Sequence, residues 1–263
     1  MTEPIIITPR FRRSVRIDSD FASATAIDGF YCPPSFQAAI GFMAAHVADT
    51  EQGAFTWTGP YGGGKSSLAL ALACLFGAPK PVREQAASLF GEAVMTALKA
   101  ALPHFPARWS VLPLVIERRS ISAQLAELLG LPEDAASAAI LGEIQRRTKD
   151  RGLLLIFDEL GRGLEAAADG EGDIHLLQDI AELASRSHGR LIFLGILHQA
   201  FEEYAERLSR KARDSWAKIQ GRFVDISISV SLEETIELIG EALGHQRAVR
   251  KALPLAEACV EHL

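Results

Sequence analysis

The sequence predicts an α/β fold built on a mainly parallel five-stranded sheet, on three observations. Short β-rich runs alternate along the chain with longer helical patterns, the signature of strand–helix–strand units. Two of the runs, 153–157 and 191–197, are nearly all apolar, as strands covered on both faces must be, so they belong in the middle of the sheet. A third run, Ala54–Thr58, leads into a glycine-rich segment ending Gly64-Lys65-Ser66 and then into an Ala/Leu helix.

Taken in order, the strands are expected at 54–58, 111–117, 153–157, 191–197 and 223–229. A helix over 35–48 follows Pro33-Pro34, since proline is tolerated in a first turn. The helix at 66–76 stops at Gly77, with Pro79 beyond it. An Ala- and Leu-rich helix over 83–102 ends before Pro103 and reads as an insertion ahead of the second strand. Further helices are expected near 121–129, 133–149, 174–187, 200–213 and 232–242, with a polar loop at 168–173. Residues 244–263 are weakly patterned and hold at most one more helix.

Composition narrows the function classes. At 263 residues the chain makes one large domain, or one plus a fragment, and 48% hydrophobic content supports a full core. A net charge of −6 argues against a surface coated in positive charge. Cys32, Cys74 and Cys259 are odd in number and far apart, so they read as buried thiols in a reducing compartment. No apolar run is long enough for a signal peptide or a bilayer span, which predicts a cytoplasmic protein with no membrane partner.

The sharpest motif is Gly59-Pro60-Tyr61-Gly62-Gly63-Gly64-Lys65-Ser66, a full G-x-x-x-x-G-K-S match between a strand and a helix. Successive glycines let the backbone turn tightly around phosphates and present N–H groups unobstructed. The helix beginning at Lys65 adds its positive end to the same place. Lys65 can reach the β- and γ-phosphates and Ser66 can hold Mg²⁺ through its hydroxyl, with Ser67 contributing at the helix start.

The second motif is Leu153-Leu154-Leu155-Ile156-Phe157-Asp158-Glu159, a buried strand ending in two carboxylates. That places both at the carboxyl edge of the sheet, where open α/β folds bind ligands. Asp158 is suited to the magnesium shell, or else to capping a helix. Glu159 is suited to accept a proton from an attacking water.

With these motifs the chain resembles the P-loop ATPases of the additional-strand, catalytic-glutamate class, over roughly residues 25–245. Within that class it is most similar to AAA+ ATPases and the related STAND and origin-recognition ATPases. The resemblance implies a three-layer α/β/α core with strand order 5-1-4-3-2, and ATP with Mg²⁺ as cofactors. It implies a polar residue at the end of the fourth strand that reads the γ-phosphate; His198 takes that place, with Gln199 as runner-up. It also implies an arginine finger just before the fifth strand, aimed at a neighbouring subunit. Arg222 is the candidate, with a surface salt bridge as the competing reading, and the active form is then a homo-oligomer.

Three features extend the resemblance. Phe30 and Tyr31 stand where such ATPases build an adenine pocket, although a core aromatic would look the same. The stretch from Arg207 to Arg222 is strongly basic, suiting a solvated face, a subunit contact or nucleic acid. The phrases around Asp158–Glu165, Leu177–Glu182 and Leu197–Phe201 look like the ATPase module of large bacterial proteins, some tied to anti-phage defence, so DNA or a defence complex joins the partner classes. The expected organisation is an ATPase core over 1–230, with an adenine-side segment over 1–52, and the start of a truncated helical lid over 231–263. Arg247 and Arg250 are the weak candidates for the lid's own arginine. The function expected is ATP hydrolysis coupled to conformational change or assembly, the alternative being a STAND-like switch that hydrolyses slowly or not at all. A metabolic kinase would need an acceptor pocket that the sequence does not announce.

Overall fold

A computed structural model of the chain describes residues 14–21, 23–170, 174–204 and 210–243. Its five strands are β1 (Ala54–Thr58), β2 (Trp109–Val115), β3 (Gly152–Asp158), β4 (Leu191–Ile196) and β5 (Val224–Ser227). They form one all-parallel sheet in the order β2-β3-β4-β1-β5, which is the expected 5-1-4-3-2 counted from the other edge. Helices cover both faces, giving the three-layer architecture of a P-loop NTPase-like fold.

The apolar runs at β3 and β4 show why both faces are covered. Along β3, Leu154 and Ile156 face one core, whereas Leu153, Leu155 and Phe157 face the other. The first core is roofed by α2 (Pro34–Thr50), α3 (Lys65–Gly77) and α4 (Lys80–Ala101). The second is roofed by α5 (Ile121–Leu129), α6 (Ser137–Arg147), α7 (Leu160–Ala168), α8 (His175–Ser185) and α10 (Arg210–Gln220). A short α1 (Ile17–Asp20) precedes them, and α9 (Phe201–Tyr204) follows β4. Helix boundaries obey local chemistry. Pro34 opens α2, the Ser120 hydroxyl accepts from the Ala123 N–H at the start of α5, and left-handed Gly130 closes α5.

Several expected boundaries shift. β2 starts and ends two residues early, because Trp109 already pairs with Gly152 and the Glu117 N–H is taken by the Gln124 side chain at 2.7 Å. The helix expected over 200–213 is instead α9 and α10, with 205–209 outside the described residues. α10 runs on through the segment read as an approach to β5, anchored by buried Trp216 and Ile219. No element was expected directly after Glu159, yet α7 begins there. Cys32 and Cys74 are buried, and burial pushes the Cys32 thiol up to about 12. Cys259 lies outside the described residues, as do Arg207, Arg247 and Arg250.

Beyond β5, α11 (Leu232–Leu243) begins with a reciprocal cap. The Ser231 Oγ accepts from the Glu234 N–H at 3.1 Å, while the Ser231 N–H donates to Glu234 Oε2 at 2.9 Å. Glu234 Oε1 also accepts from the Ser35 N–H at 2.8 Å, so one carboxylate ties the starts of α2 and α11 together. No helix among the described residues is long and apolar enough to cross a membrane.

One packing contact gives a stability prediction. A Cβ at Gly152 would fall 2.1 Å from the Trp109 ring, and the neighbouring β2 and β3 backbones are fixed by the ladder. Gly152→Ala is therefore expected to destabilise the fold by about 1–3 kcal/mol through overpacking, read as a lowered denaturant midpoint with an unchanged slope.

Candidate phosphate-binding site

Parallel pairing brings the carboxyl ends of all five strands to one edge, and the two motifs meet there. β1 ends at Thr58 and the chain passes into the glycine loop, closed by a Gly63 N–H to Pro60 C=O bond of 3.2 Å. Gly64 caps α3 with φ 79°, and a Cβ there would lie 2.8 Å from the tip of the Phe36 ring. Only glycine meets both conditions at once. The loop's shape is thus fixed from beneath by a buried aromatic of α2.

Lys65 opens α3 and is 4% exposed. Its ammonium donates to the carbonyls of Gly59 at 2.6 Å and Pro60 at 2.8 Å, curling back over its own loop. Burial lowers its pKa, opposed by the charges of Asp158 and Glu159. A buried ammonium satisfied only by carbonyl dipoles is suited to exchange them for an anion. Ser66 follows, near enough to the Asp158 carboxylate to hold its pKa down, so the α3 start meets the end of β3 across the intervening β4. Ser67 lies half-buried in the same first turn.

Asp158 is 3% exposed. Burial raises its pKa, while the Ser66 hydroxyl and the Glu159 N–H, at 3.0 Å, pull it down. Two hard oxygen donors, Ser66 Oγ and the Asp158 carboxylate, therefore face the lysine and the loop, which is a donor set that fits Mg²⁺.

Glu159 is set in the left-handed region, φ 57° and ψ 32°, at the head of α7. For a non-glycine residue this costs about 1–3 kcal/mol and is typical of functional positions. Its Oε2 is 3.4 Å from Arg162 Nε, and its Oε1 is 3.1 Å from His198 Nε2. The latter contact is short but poorly aligned, so neither buried ring nitrogen of His198 makes a well-directed hydrogen bond. The His198 ring stacks on Tyr61 of the loop, with centroids 3.5 Å apart and planes at 18°. Tyr61 itself is 76% exposed.

The structure thus gathers Gly59–Ser66, Asp158, Glu159 and His198 into one cluster at the carboxyl edge. Gln199 is exposed beside it. Phe30 is a core residue, and the Tyr31 hydroxyl donates to Glu237 of α11 at 2.5 Å, which pushes the phenol up to about 12. Arg222 is elsewhere: it is exposed, just ahead of β5, at the opposite edge of the sheet, with its carbonyl accepting from Gln52 Nε2 at 2.9 Å.

Three supporting residues escaped the sequence reading. The Tyr204 hydroxyl lies beside the backbone N–H groups of His198 and Gln199, which hold its pKa down, while burial pushes it up to about 12. A Cβ at Gly161 would fall 2.2 Å from that hydroxyl, so the glycine two residues after Glu159 makes room for it. Arg162 was visible in the same phrase, but only the turn of α7 brings it back to Glu159.

Comparison with known proteins adds little to this geometry. No family model matches the chain, and no curated protein matches it. Among solved structures it is similar to PCH-2 from C. elegans, at a TM-score of 0.38 and 13% identity, over 82% of this chain. It spans about half of that protein, 46% of its chain.

Proposed function

We infer that the chain is a Mg²⁺-dependent ATPase module of AAA+-like type. The observation that carries the reading is the junction of the two motifs at one sheet edge: a glycine loop with its buried lysine, and Ser66 close enough to the Asp158 carboxylate to pull its pKa down, beside Glu159. In this reading the loop N–H groups and the Lys65 ammonium bind the β- and γ-phosphates. Ser66 and Asp158 would hold magnesium, which when bound offsets charge on the phosphate oxygens. Glu159 takes the proton of a water aligned on the γ-phosphate. His198 orients Glu159 and senses what enters the loop through its stack with Tyr61. Adenine is preferred over guanine on the resemblance, together with the lack of an N-K-x-D guanine-reading motif.

The resting contacts favour a low basal rate. Lys65 is turned onto its own loop, and Glu159 is engaged by Arg162 and His198, so both must exchange partners before reaction. A switch that turns over slowly follows from the same contacts. Arg222, at the far edge, cannot serve its own chain's loop, and in this reading it completes the site of a neighbouring copy. DNA or a defence complex as the thing acted upon stays a proposal from the sequence phrases. The test is steady-state phosphate release against protein concentration, with Mg²⁺ and with chelator. Magnesium-dependent release whose specific activity rises with concentration is expected, and concentration-independent activity would overturn the oligomeric site.

A further inference from the structure

The edge of the sheet opposite the phosphate loop carries an unassigned feature. In a parallel sheet every strand begins there, and four of the five are preceded within two residues by an arginine: Arg108 before β2, Arg151 before β3, Arg190 before β4 and Arg222 before β5. The register makes them neighbours. Arg108 and Arg151 immediately precede the paired residues Trp109 and Gly152, the Gly152 N–H donates to the Arg108 carbonyl at 2.7 Å, and the Leu153 N–H donates to the Arg190 carbonyl at 2.8 Å. Lys149 in the turn before β3 and Lys218 in the last turn of α10 join the same edge.

Within one chain these cations are left without carboxylate partners among the described residues. Arg108, Lys149, Arg151, Lys218 and Arg222 are exposed and have no carboxylate partner among the described residues, and the Arg190 guanidinium meets only the carbonyls of Ser187 and Lys149. By contrast, Arg146 and Arg147 beside them are both held by Glu143. The acidic groups on this edge are Asp150, Asp49, Glu51, which is engaged by His188, and Glu143 and Glu182, which are engaged by Arg146, Arg147 and Arg186. Helices running back from the strands end here, and their negative ends account for Arg146 and Arg147 in the last turn of α6 and Arg186 at the C-cap of α8. That account does not extend to arginines placed in the loops before strands.

The geometry points to this edge as a binding surface for the phosphate backbone of a nucleic acid. Four inter-strand steps of about 4.8 Å set the row at about 19 Å long, enough to follow several successive phosphates. Guanidinium groups pair with phosphate oxygens in a planar fork, which suits a row of arginines. Between Arg108, Arg151, Arg146 and Arg147 the row opens into two adjoining shallow clefts of about 340 and 390 Å³, both floored by Asp150 and Arg151. A protein or membrane partner fits less well. The exposed large apolar side chains among the described residues are Phe42, Tyr61, Leu232, Ile236 and Ile239, and none is in these strand-start loops, so the surface has no apolar anchor. The row lies on the face away from the chain's own nucleotide loop, and apart from Arg222, which the oligomeric reading places at a neighbouring copy's site, it does not depend on the ATPase reading.

The test is fluorescence polarisation of a 20-base-pair labelled duplex between 50 and 200 mM salt, with the full chain and with Arg108→Glu/Arg151→Glu. Both side chains are exposed, so unchanged thermal unfolding of the variant serves as the folding control. Wild type is expected to bind with a log–log salt slope of about −4, from four to five phosphate contacts. The double variant should bind at least about tenfold more weakly at 50 mM salt, with a slope shallower by about two. Lack of binding at 50 mM salt, or equal binding by the variant, would overturn the proposal. So would competition by polyglutamate as effective per charge as unlabelled duplex, or sedimentation with phosphatidylserine vesicles without duplex binding.

Discussion

Glu159→Gln is expected to keep ATP binding and to lower turnover by about 10²–10⁴-fold, the usual worth of a positioned general base. The amide keeps the size and can hold the contacts to Arg162 and His198, now as a neutral hydrogen-bonding group. What it loses is the ability to accept the proton of the attacking water. Measured as phosphate release at saturating ATP, the loss should fall on kcat with KM little changed. A loss confined to KM would mean that Glu159 binds rather than reacts, and the αL geometry at the head of α7 would need another explanation.

Lys65→Ala should weaken nucleotide binding by orders of magnitude. In the wild type the ammonium is buried and bonded only to the Gly59 and Pro60 carbonyls, so its desolvation is already met in the resting state. Phosphate oxygens then replace two neutral acceptors by charged ones. Hydrogen bonds to charged groups are worth about 1.5–3 kcal/mol each, so losing two of them with the lysine should weaken binding by a factor on the order of 10²–10⁴. The substitution removes a buried ammonium whose hydrogen bonds are to loop carbonyls and not to a carboxylate, so folding should survive. Calorimetric titration reads this directly, and wild-type affinity in Lys65→Ala would place the nucleotide elsewhere.

How much of this was legible in the sequence depends on whether the signal is local. The glycine loop, Lys65, Ser66 and Asp158 were readable because each follows directly on a strand whose apolar run is visible, and a parallel sheet carries both strand ends to one edge. The strand order came from the resemblance, because periodicity states which segments are strands and not which are neighbours. The stack of Tyr61 on His198 was not readable, since it depends on β1 lying beside β4 across 137 residues of sequence (198 less 61). Tyr204 was hidden for the same reason: it lies beside backbone N–H groups and Gly161, neither of which leaves a trace of it in residue type. α7 was missed because a left-handed Glu159 starts it where an Asp, Ser or Thr cap would be sought. The helix expected over 200–213 was placed too early because the buried anchors of α10, Trp216 and Ile219, come after the charged stretch.

The most direct test of the central claim is a single-turnover quench with protein in excess over radiolabelled ATP, at high protein concentration and with Mg²⁺, comparing wild type and Glu159→Gln. The account predicts that wild type converts bound ATP to ADP and phosphate while the variant returns it as ATP. Phosphate forming at the same rate in both would contradict it, and so would wild type that binds ATP and never cleaves it.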